Sequence, residues 1–246
     1  MNLPLLSQLT EPIPLDQLDD PQIAELQSAL STLGYPVGES DGLIGPKTRS
    51  AWAEFKADEF QGNPDMIGPG SVTEIRERLG AFDSTGFDFS SKGGTTIAIK
   101  AGCKQHGIGL PVQVAYVLAT VEWETAKQFQ PVKEAFWNDE QWRKKHLRYY
   151  PYYGRGYVQL TWKNNYEKYA KLLAIDLVND PDKALVPQTA LFVLCHGFKT
   201  GTFTGRKITD YLTADTKDFV GARRCINGTD RATDIAALAE KYLRQM

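Results

Sequence analysis

Apolar residues return at helical spacing along most of the chain. Ile23, Leu26, Leu30 and Leu33 recur every three or four positions and so line one face of a helix. Asp20-Pro21 gives that helix an N-cap with a proline in its first turn, and Gly34 ends it. Past the turn signal Asp41-Gly42, Pro46 opens a second helix carrying Ala51, Trp52 and Phe55. A third is expected from Ser71, which with Glu74 forms a capping box in which each side chain reaches a free backbone N–H. "DMIGPGSVTEI" loosely echoes "DGLIGPKTRSA", either as a second turn-helix unit or as a coincidence.

Periodicity then fails across "GAFDSTGFDFSSKGG", where Gly, Ser and Asp accumulate as in a linker. The expected organisation is a domain over 1–80, a linker over 81–92 and a second domain over 93–246. In that second part "TTIAIKAGCKQHG" and "PVQVAYVLATVEWET" predict helices, the latter apolar nearly all round and therefore central to a core. "YYGRGYVQLTW" changes the period to two. Strand alternation places Tyr157, Gln159 and Thr161 on one face and Val158 and Leu160 on the other, with Gly154 and Gly156 suited to a tight reversal. Helical patterns resume in "WKNNYEKYAKLL", "ALVPQTALFVLCHGF", "KDFVGARRCI" and "RATDIAALAEKYL", with Asp180-Pro181 as another capped start. The fold class predicted is mainly α (α+β), with one small β-hairpin and a small three-helix N-terminal domain.

The 246 residues, 42% of them hydrophobic, are enough for two packed cores. "PVQVAYVLATV" is too short to span a bilayer, so no membrane insertion is expected, and "MNLPLLSQLTEPIPL" lacks the basic start of a signal peptide. Cys103, Cys195 and Cys225 are odd in number without metal-type spacing, which favours core thiols and synthesis in a reducing compartment. His106, His146 and His196 are scattered, so neither a metal nor another cofactor is implied. Residues 1–80 hold 5 Lys and Arg against 13 Asp and Glu, whereas the rest hold 23 against 17. A basic C-terminal half would be drawn to an anionic polymer. In "WRKKHLRYY", Arg143, Lys144, Lys145 and Arg148 read as a solvated helix face rather than a nucleic-acid contact.

The chemistry-bearing residues lie between Val121 and Thr161. Paired carboxyl groups can divide acid and base work, one giving up a proton and the other activating water. Val114, Val117, Leu118 and Val121 form an apolar stripe, and Glu122 and Glu124 fall on its two flanks, so periodicity does not choose between them.

The segments "WET" at 123–125, Glu134, "YYGRGYVQLT" at 152–161 with Asn165, and "ARRCING" ending at Asn227-Gly228 resemble, in order, the motifs of the family 19 glycoside hydrolases. These are the plant-type chitinases and their lysozyme-like relatives among phage endolysins. The resemblance implies a lysozyme-like catalytic domain in which Glu124 is the general acid and Glu134 the base. It also implies that Gln159, Thr161, Asn165 and Asn227 hold the sugar and the attacking water. Tyr152 and Tyr157 are candidates for stacking on sugar rings. Two departures stand out: Trp123 replaces the usual histidine, and only nine residues separate Glu124 from Glu134, a spacing closer to the endolysins. "LQSALSTLGYPVGESDGLIGPKTRSAWAEF" resembles a small peptidoglycan-binding domain through Leu26, Gln27, Leu33, Gly34, Tyr35, Asp41, Gly42, Gly45, Thr48 and Phe55.

Together these readings predict a monomeric endolysin-type peptidoglycan hydrolase, made in the cytoplasm and acting on wall glycan strands after release. Cleavage of β-1,4 bonds by acid/base catalysis with inversion is expected, without nucleic-acid partners. The alternatives are a chitinase and a non-catalytic wall-binding protein.

Overall fold

The computed structural model describes residues 3–59, 62–80 and 86–246. The chain divides into two compact units, Met1–Asp83 and Ser84–Met246. Residues 81–85 of the expected linker lie outside the described residues.

In the N-terminal unit, a short strand β1 (Ile13–Pro14) precedes α1 (Asp20–Thr32) and α2 (Pro46–Asp58), and β2 (Met66–Ile67) leads into α3 (Pro69–Gly80). β1 and β2 pair antiparallel, Ile13 opposite Ile67. The apolar stripe of α1 is buried as its spacing predicts, Leu26, Leu30 and Leu33 at 0% exposure, against Trp52 and Phe55 of α2. Each such side chain contributes about 1.5–3 kcal/mol of transfer free energy. The N-cap of α1 is Asp19, one residue before the expected position, and its carboxylate accepts from Gln22 N while Gln22 reciprocates. Ser71 does not cap α3. The helix starts two residues earlier at Pro69, and the Ser71 hydroxyl is turned to Lys56 Nζ.

Gln27 is the polar pin of this unit. Its amide donates to Asp41 Oδ1 at 2.9 Å, Leu43 O at 2.9 Å and Thr48 Oγ1 at 3.0 Å, and its carbonyl accepts from Gly42 N at 2.9 Å. A buried amide must find such partners, so the Gln, Asp-Gly and Thr positions of the sequence pattern form one hydrogen-bonded loop lock.

The C-terminal unit is built around α5 (Pro111–Glu124), which is preceded by α4 (Lys92–Gln105). Every α5 residue from Gln113 to Val121 is buried. Around it lie α8 (Pro187–Thr200) and α9 (Ala232–Leu243), with α6 (Glu140–His146) and α7 (Lys163–Leu173) beside the small sheet. α5 packs on α9 and α4, and α4 on α8. Asp180-Pro181 starts a 3₁₀ turn, Pro181–Leu185, without a side-chain cap, and "GARRC" is also 3₁₀ rather than α-helical.

The expected strand alternation of "YYGRGYVQLTW" does not hold. β3 (Val132–Lys133) pairs with β4 (Arg155–Gly156), and Arg155 bridges Leu160 directly, so the chain reverses within Gly156–Gln159. Gly156 at φ 90° and Gln159 at φ 58° make that reversal. Gly154 serves a different need, since a Cβ there would stand 2.5 Å from Gln159 Oε1. Tyr157, Val158 and Leu160 all turn inward, while Gln159 and Thr161 remain half-buried.

Candidate active site

A cleft of about 460 Å³ in the C-terminal unit is lined by Glu124, Glu134, Gln159, Thr161, Asn165 and Asn227. Six of the eight residues expected at the site are thus brought together.

Glu124 is the last residue of α5. The helix stops there because Thr125 turns its hydroxyl back to Val121 O at 2.6 Å and accepts from Phe129 N, and the following residues Ala126, Lys127 and Phe129 adopt positive φ. The carboxylate leaves the apolar stripe at the cleft. Its Oε1 accepts from Arg223 Nη1 at 2.6 Å, both side chains being largely buried. Arg223 Nε is held in turn by Asp230 O at 3.0 Å. A guanidinium has no lone pair to offer, so Oε1 stays an acceptor and Oε2 is the oxygen that can carry a proton.

Glu122 points to different partners, Lys92 Nζ at 3.2 Å and the hydroxyl of Tyr242. Burial pushes its pKa up, but the hydrogen bonds from Tyr242 and Lys92 outweigh this and hold it below the usual carboxylate range. Of the two carboxylates that flank the stripe, Glu124 lines the cleft and Glu122 does not.

Glu134 follows β3, and its backbone N–H continues the ladder to Gly154 O at 2.7 Å. Both carboxylate oxygens accept: Oε1 from Tyr149 OH at 2.8 Å and Oε2 from Gly154 N at 2.9 Å. Arg143 is not part of a solvated face. It is buried, donating from Nε to Glu134 O at 2.9 Å and from Nη2 to Ala135 O at 3.0 Å, and so fixes the segment that carries the carboxylate. Thr161 Oγ1 donates to Gln159 O at 2.7 Å, which leaves its lone pairs free to accept, and Asn165 Nδ2 ties the first turn of α7 to Thr161 O at 2.8 Å.

Tyr152 and Tyr157 do not line the cleft. Tyr157 is fully buried and faces Thr95 in the core, and burial raises its pKa. Tyr152 donates to Val178 O and packs on Tyr166. The fully buried Tyr157 ring has no face for a sugar. The aromatic wall comes instead from Tyr149, Trp162 and Phe203, with Tyr149 and Trp162 at 4.9 Å between ring centres. Only the aromatic richness of "YYPYY" hinted at Tyr149, while Arg223 lay within "ARRCING" and Phe203 within the Gly/Thr-rich "GFKTGTFTGRKITDYL" with no role assigned to either side chain. Among the described residues no cluster of three His, Cys, Asp or Glu is placed to hold a metal, and no helix is long and apolar enough to cross a membrane.

Residues 120–201 match the family 19 glycoside hydrolases, described as chitinase class I. No curated protein matches the chain. Among solved structures, chitinase C from Streptomyces griseus HUT6037 aligns at 18% identity with a TM-score of 0.38, over 86% of this chain and 78% of that one. The matched stretch contains Glu124, Glu134, Gln159, Thr161 and Asn165, so five of the residues lining the cleft fall in the part of the chain that is similar to the family 19 glycoside hydrolases.

Proposed function

We propose that the protein is an endolysin-type peptidoglycan hydrolase that cleaves the β-1,4 glycosidic bonds of the bacterial wall with inversion. The observation that carries the mechanism is the different dress of the two carboxylates in one cleft: Glu124 has one oxygen paired to Arg223, while both oxygens of Glu134 accept hydrogen bonds. Glu124 Oε2 gives its proton to the leaving glycosidic oxygen. A water that donates one O–H to Glu134 and the other to Thr161 Oγ1 attacks the anomeric carbon from the opposite face, and its proton ends on Glu134. Gln159, Asn165 and Asn227 supply amides for the acetamido and hydroxyl groups of the sugar.

Peptidoglycan is favoured over chitin by the N-terminal unit. Four residues of its wall-binding pattern, Gln27, Asp41, Gly42 and Thr48, are tied together by hydrogen bonds, and such a unit would keep the enzyme at an insoluble substrate by raising its local concentration. Chitin is the second reading, favoured by the description of the matched family as chitinase class I. Purified peptidoglycan and colloidal chitin should be digested side by side and the products identified by mass spectrometry. New reducing ends on peptidoglycan fragments are expected; release of soluble oligomers from chitin alone would overturn the wall assignment.

A further inference from the structure

The N-terminal unit holds a cavity of about 270 Å³ with an uncommon chemical character. Its lining includes Lys56, Asn63, Gly70 and Ser71 and contains no acidic residue. Lys56 lies on α2, yet it is only 6% exposed. Its ammonium donates to Ser71 Oγ at 3.0 Å and sits 5.5 Å from the centre of the Trp52 ring, and among the described residues no carboxylate pairs with it. An ammonium carries three donors, and burying it without a counter-charge is costly. Burial lowers its pKa accordingly.

Three further donors meet the same space. α3 begins at Pro69, so Gly70 and Ser71 stand in its first turn, where backbone N–H groups have no partner within the helix. The positive end of the helix dipole adds to the charge of Lys56. Ser71 Oγ accepts from the lysine, which leaves its own O–H to donate. The unit as a whole carries a surplus of acidic residues, 13 against 5 within residues 1–80. Diffuse surface charge therefore does not account for a cationic cavity.

We infer that this cavity is a carboxylate-binding site that takes the free carboxylate end of a short peptide, with Lys56 as counter-ion and the Ser71 hydroxyl and first-turn amides of α3 as hydrogen-bond donors. That the carboxylate belongs to a peptidoglycan stem peptide rests on the function proposed above. That the cavity prefers a carboxylate does not.

The test uses the full-length, ¹⁵N-labelled protein titrated with N-acetyl-D-alanyl-D-alanine and, separately, with its C-terminal amide. The acid is expected to shift the Gly70 and Ser71 amide resonances saturably and to bind at least ~10-fold more tightly than the amide, as loss of one charge-assisted contact requires. Lys56→Met should abolish the response and Ser71→Ala should weaken it, both leaving turnover on soluble glycan fragments unchanged. Equal binding of acid and amide, no binding of either, or tighter binding of inorganic phosphate would each overturn the assignment. Should Lys56→Met fail to fold, the acid and amide comparison in the unaltered protein still decides. An enzyme that digests only chitin yet prefers the acid would sink the wall reading and leave this site standing, whereas a wall-lytic enzyme indifferent to the acid would sink this site alone.

Discussion

Arg223 and Glu124 lie 99 residues apart in the chain and meet at 2.6 Å, guanidinium to carboxylate, at the C-terminal end of α5. Deleting one partner of a largely buried pair costs about 3–5 kcal/mol. Arg223→Met is expected to lower the melting temperature and to cut kcat roughly 100-fold with little change in KM, because Glu124 loses the contact that aims Oε2. Arg223→Lys should recover part of kcat. Turnover unaffected by the methionine would show that Arg223 only stabilises the fold.

Glu124→Gln is expected to reduce kcat by about 10²–10⁴-fold while sugar binding survives, since the amide keeps the shape and cannot release a proton to the leaving oxygen. Glu122→Gln should disturb only the contacts to Lys92 and Tyr242 and should change stability more than rate. Steady-state kinetics on both variants decides, and a dead Glu122 variant beside a live Glu124 variant would reverse the assignment.

Glu134 and Thr161 are expected to act on one water. Each of Glu134→Gln and Thr161→Ala should lower turnover strongly, and the double variant should be little worse than the more damaged single one, because a misplaced water loses both contacts at once. NMR of the first product should show the inverted anomer. A retained anomer would take Glu134 out of the role of base.

Tyr149 donates to Glu134 Oε1, and burial together with the neighbouring carboxylate pushes its pKa up to about 12. A phenol whose proton is held more tightly in the folded state stabilises the protein fully below the ordinary value of 10.0, and that contribution is lost as pH rises toward about 12. The stability margin of the natural protein over Tyr149→Phe should therefore be constant at neutral pH and shrink between pH 10 and 12. Urea unfolding across that range measures it, and a margin independent of pH would refute the coupling.

Phe203 reaches the cleft because α8 has a glycine beneath it: a Cβ on Gly197 would stand 2.1 Å from the Phe203 ring. Gly197→Ala must push the phenyl aside. A rise in KM of about 3–10-fold is expected, with kcat nearly kept, as for loss of a contact made equally to substrate and transition state. Phe203→Ala should reproduce it. Unchanged KM in both variants would mean that the ring is not a sugar contact.

The sequence alone was sufficient for much of what depends on local helical period. The burial of Ile23, Leu26, Leu30 and Leu33 and the encasement of Gln113 to Val121 follow from spacing, because a helix that buries one face must repeat apolar residues near every 3.6 positions. The start of α2 at Pro46 followed from local backbone chemistry. The gathering of Glu124, Glu134, Gln159, Thr161, Asn165 and Asn227 was legible only through the order of their motifs, since no period connects them.

Tertiary structure alone decided the rest. The alternation drawn through Tyr157, Gln159 and Thr161 failed because Arg155 pairs with Leu160 and closes the turn after a single bridge, which sends Tyr157 inward. Arg143 left its solvated face because the carbonyls of Glu134 and Ala135 came within reach, and burying those acceptors demands a donor. Glu122 and Glu124, equivalent on the helical wheel, became different groups once α9 brought Tyr242 to one and the 3₁₀ turn brought Arg223 to the other. Partners so distant in the chain are chosen by which elements pack together, and local spacing carries no record of that choice.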